Sequence, residues 1–77
     1  MTAATQYAEH QKDIAALLKL IKKALRKHAA EAKRDRRSWG YAGDLSHVQG
    51  QMTEALAFLL NIEIENVEPL VREARKV

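Results

Sequence analysis

Cysteine is absent from the 77 residues. That excludes disulfides and thiolate metal sites, and it fits a reducing compartment. Proline occurs once, as Pro69, and glycine three times, as Gly40, Gly43 and Gly50. Nothing before Gly40 therefore interrupts a helix. No run of about 18 apolar residues exists, so a membrane-crossing helix is excluded. The N-terminal stretch has no basic flank and no apolar core segment, so no signal peptide is expected. These absences lead us to expect a cytoplasmic protein with no membrane partner. At this length one domain is expected, over residues 1–77. Such a chain buries only about 60% of its unfolded surface, so reinforcement by self-association is expected.

Charge is plentiful and unevenly placed. Residues 1–37 hold ten Lys/Arg and four Asp/Glu, a net of +6, whereas residues 38–77 hold three and six, a net of −3. From Thr5 to Arg37 the composition is rich in Ala, Leu, Lys, Arg, Glu and Gln, all strong helix formers. Thr2 or Thr5 can cap this first helix. Its apolar seam reads as two rows, Gln11, Leu18, Leu25, Ala32 and Tyr7, Ile14, Ile21, His28. Leu20 falls beside the seam.

The stretch Leu45–Leu60 organises the remainder. Leu45, Val48, Met52, Leu56 and Leu59 recur at gaps of three and four, which puts five large side chains on one helical face. Residues 38–44 contain Gly40 and Gly43 and read as the turn between two helices. Asp44 suits the N-cap of the second. Trp39 and Tyr41 are placed over the helix ends as core closers, or alternatively as stacking platforms for bases. Asn61 ends the second helix. Residues 61–66 form an extended connector with Ile62 and Ile64 docked inward, and Asn66 caps a third helix over residues 67–76, which runs on in the same direction. The competing reading is one helix continuing from Leu45 to about Glu68. The fold class is therefore all-α: a long helix, a glycine-containing turn, a second helix and a short third. A helical hairpin of this kind closes its core by pairing as a dimeric four-helix bundle. In outline it resembles the small helical hairpins that pair into such bundles, plasmid copy-control RNA binders among them. Ile14, Leu18, Leu20, Ile21 and Phe58 are the candidate self-association residues.

Catalytic chemistry finds little support. Asp44, Ser46 and His47 are the residue types of a hydrolase triad, but three positions in one helical turn diverge in direction. His10, His28 and His47 lack the spacing of a helical metal site. No enzyme activity, cofactor, metal or small-molecule substrate is expected. The strongest signal is basic density. Lys19, Lys22, Lys23, Arg26, Lys27, Lys33, Arg34, Arg36 and Arg37, against Glu31 and Asp35, give a net of +7 from residue 19 to 37. Such a ridge contacts either an acidic protein surface or phosphates. We expect a small non-enzymatic interaction module that binds a partner protein; the alternative is a nucleic-acid-binding accessory protein. Trp39 and Tyr41 join the candidate contact residues.

Overall fold

The computed structural model describes residues 2–35, 37 and 39–76. The protein is all-helical, with α1 at Ala3–Arg34, α2 at Trp39–Leu60 and α3 at Val67–Arg75, preceded by a 3-10 turn at Ile64–Asn66. No strand occurs among the described residues. The chain divides into two compact units, Met1–Ser38 and Trp39–Val77.

The first unit is built on α1. Thr2 caps it: its extended backbone precedes the helix, and its hydroxyl accepts from the Thr5 amide at 3.1 Å. That satisfies one of the amides a helix start leaves without a partner. At the other end the Asp35 amide donates to the Ala32 carbonyl at 3.1 Å, tightening the last turn. Lys33 and Arg34 in that turn complement the helix dipole. The helix thus begins two residues before, and ends three residues short of, the expected span of 5–37. None of the residues of α1 is fully buried.

In the second unit the expected turn at residues 38–44 is corrected. Trp39 already opens α2, and Gly40, Gly43 and Asp44 lie within it. No glycine among the described residues has a positive φ. Glycine breaks a helix only where such a conformation is demanded; elsewhere it merely weakens it, by about 1 kcal/mol against Ala. Asp44 is accordingly not an N-cap. Gly50 faces open space, with nothing within 4 Å of a Cβ built on it, so no close approach requires it.

The end of α2 is sharply defined. Asn61 takes a left-handed conformation with φ 56°. Its amide donates to the Phe58 carbonyl at 3.2 Å, and the Ile62 amide reaches back to the Ala57 carbonyl at 3.1 Å. These paired bonds form a Schellman motif, with asparagine in the place glycine usually takes. The helix therefore breaks here and does not continue to Glu68. Ile64 lines a shallow groove with Ser46, Gln49, Gly50, Thr53 and Glu54 of α2. The 3-10 turn and α3 both pack on α2.

Val67, 1% exposed, and Ala57, 5% exposed, are the buried core among the described residues. Ala57 lies roughly 140° around the helix from Met52, at about 100° per residue. Of the five seam residues, Leu45, Met52 and Leu59 are exposed, and Val48 and Leu56 are half-buried. Two further corrections follow. Ile62 is half-buried as expected, but Ile64 is exposed. Asn66 has helical backbone angles and makes no capping hydrogen bond through its side chain.

Candidate functional site

The basic ridge is a property of α1 as a helix. All eight of its Lys and Arg residues, from Lys12 to Arg34, fall within an arc of roughly 140° at about 100° per residue. The large apolar residues Tyr7, Ile14, Leu17, Leu18, Leu20, Ile21 and Leu25 occupy the complementary arc of roughly 160°. Leu20 marks one edge of the apolar arc, next to Lys27. The two faces barely mix.

Lys19, Lys22, Lys23, Arg26 and Lys27 are exposed. Ion pairs form elsewhere: Lys12 with Glu9 at 3.4 Å and Lys76 with Glu73 at 3.2 Å, each one turn apart and solvent-exposed. Among the described residues, no carboxylate pairs with the five ridge cations. Their charge is therefore presented to solvent, with no ion pair to a described carboxylate. Lys33 and Arg34 extend the ridge into the last turn of α1, and Arg37 is exposed beyond it. Arg36 lies outside the described residues.

Trp39 and Tyr41 belong to the second unit. Trp39 is 87% exposed, which corrects the expectation that it closes a core. It sits at the first position of α2, where no preceding helical turn covers it. Tyr41, one helical turn before Leu45, is half-buried. The candidate self-association residues also divide. Ile14, Leu18 and Leu20 are exposed and Ile21 half-buried on α1, whereas Phe58, 85% exposed, projects from α2.

Other chemistry finds no constellation. Ser46 and Glu54, with Gln49, Gly50, Thr53 and Ile64, line a shallow groove of about 360 Å³ on α2. Glu54 is the one ionisable group lining it, so the groove offers no acid/base pair. Thr53 spends its hydroxyl on the Gln49 carbonyl at 2.7 Å. Asp44, Ser46 and His47 project from α2 in different directions. Among the described residues no three His, Asp or Glu side chains converge as metal ligands. No described helix is long and apolar enough to cross a membrane.

The charge pattern of α1 holds a signal that its apolar periodicity does not carry. From Ile14 to Ala30 there are five Lys/Arg and no Asp or Glu. The signal lies in the positions of the acids, Glu9, Asp13, Glu31 and Asp35, all of them outside that stretch. Leu17, which is in neither row of the expected seam, belongs to the apolar arc and is 55% exposed. No protein-family model, curated protein or solved structure matches the chain, so its function rests on these residues alone.

Proposed function

We propose that this chain is a small non-enzymatic interaction module that binds a partner protein carrying an acidic surface. The ridge of α1 is the contact. Two copies, each contributing α1 and α2 as a hairpin, pair as a four-helix bundle that covers the apolar arc and leaves both ridges outward. The observation that carries this reading is the exposed ridge of five cations that no described carboxylate neutralises. A cationic stripe opposite an apolar one suits a helix that packs on one side and recognises charge on the other.

A second reading, nucleic-acid binding, is supported by one observation, the exposure of Trp39. An exposed indole close in sequence to a basic helix can stack on bases while lysines contact phosphates. One variant separates the two. Replacing Lys23, Arg26 and Lys27 by Gln retains helix propensity and removes three charges. If the partner is an acidic protein, capture of that protein from the host falls and the parent binds duplex DNA weakly from the start. If the partner is nucleic acid, the parent binds it with a steep salt dependence. The variant then binds with a shallower one, its log–log slope reduced by about 0.9 for each phosphate no longer neutralised. A variant that captures the same partner as well as the parent contradicts both readings.

A further inference from the structure

We infer that α1 is also an in-plane anchor for an anionic lipid surface, with Ile14–Ala30 as the inserted stretch. This goes beyond the protein-binding reading and does not depend on it. A helix lying in a bilayer interface needs a broad apolar face, cations on the opposite face and at the flanks, and little negative charge. It does not need the length or uniform apolarity of a spanning helix. The Ile14–Ala30 stretch meets each requirement. Its large apolar residues Ile14, Leu17, Leu18, Leu20, Ile21 and Leu25 share one arc, and Leu17 and Leu20 are 55% and 61% exposed. Lys22 and Lys27 border that arc on its two sides, where their long stems can run along the apolar boundary and place the ammonium groups at headgroup level.

The missing acids argue for lipid over an ordinary solvated face. An exposed helix usually alternates charge sign, which stabilises it through pairs one turn apart. Over these 17 residues α1 carries only positive charge. That arrangement forgoes such pairs, and an anionic surface compensates most strongly the two cations that border the arc, Lys22 and Lys27. Nucleic acid would use the same cations but has no use for the apolar arc. The anchor requires both faces, and that difference decides the test.

The test is cosedimentation of the full chain with vesicles of phosphatidylcholine alone and of phosphatidylcholine mixed with phosphatidylglycerol. Binding to the mixed vesicles, weakened by salt and far stronger than to the neutral ones, is expected. The variant with Lys22 and Lys27 changed to Gln should lose about 25-fold in affinity, at roughly fivefold per cation near the surface. The variant with Leu17→Gln and Leu18→Gln keeps all its cations and good helix formers, and its helical signal in the far ultraviolet serves as the folding control. It should lose at least about tenfold on mixed vesicles while leaving any binding to duplex DNA unchanged. Because lipid and a second copy compete for one arc, adding mixed vesicles should convert dimer into vesicle-bound chain. Failure of the parent to distinguish mixed from neutral vesicles overturns the proposal. So does full vesicle binding by the leucine variant, which would make the ridge a general polyanion site. Sedimentation without lipid reports the bundle separately, so either idea can fail alone.

Discussion

Asn61 is the residue on which the second unit turns. Its left-handed backbone is tolerated because its short polar side chain can hydrogen-bond locally, a relief that a β-branched residue lacks. Asn61→Val should cost about 1–2 kcal/mol, and Asn61→Gly should be neutral or stabilising, as read from urea midpoints. Gly43 and Gly50 have the opposite character. Neither meets anything within 4 Å where a Cβ would stand. Each exchange for alanine should stabilise α2 by about 0.5–1 kcal/mol and raise the thermal midpoint; a loss of stability would reveal a contact made only in the assembly. Trp39 should emit like indole in water both before and after unfolding, and Trp39→Ala should change stability by no more than about 0.5 kcal/mol. A blue-shifted native emission would mean that a second copy covers it. The exposure of Trp39 was not legible in the sequence, because the burial of an aromatic depends on what lies opposite it, and nothing within residues 38–44 states that.

The three helices differ in how openly their residues declare them. α1 is written in composition: an unbroken run of helix formers, a threonine ahead of it and a strict segregation of charge from apolar residues. The basic ridge was legible for the same reason, since it depends on helical periodicity alone and on no neighbour. α2 was legible as a helix, but its start and its packed face were not. Gly40 and Gly43 look like a turn because glycine favours turns, yet here both take ordinary helical angles. Its five large seam residues look like a packing face because they are large. Among the described residues the buried side chains are instead Ala57 and Val67. The packing of the second unit therefore turns on small residues. Val67→Ala should remove roughly 1.5–3 kcal/mol, and Ala57→Leu should cost about 1–3 kcal/mol by overpacking. Both should release α3 from α2, seen as early hydrogen exchange of the Leu70–Arg75 amides relative to those of Met52–Leu56. If instead the two sets exchange together at the global rate, the second unit is one cooperative body.

At the scale of the molecule, large apolar side chains remain exposed on both units, while Ala57 and Val67 are the buried core among the described residues. Burial on that scale falls well short of what a small chain without disulfides or a metal needs to hold its helices in water. The remaining apolar surface lies on α1 around Ile14–Leu25 and on α2 at Leu45, Met52, Phe58 and Leu59. Self-association is the physical completion we propose for it, with the basic ridges left outward for a partner. Ile21→Glu should oppose that assembly, because it places a charge near the centre of the arc a second copy would bury. The variant should be less helical at low concentration than the parent. Sedimentation equilibrium of the unmodified chain at micromolar concentration, in lipid-free buffer, tests the central claim most directly. A mass about twice the 8.7 kDa of one chain is expected, falling toward one chain on dilution together with the helical signal. A single chain mass that persists at high concentration with full helicity would contradict it.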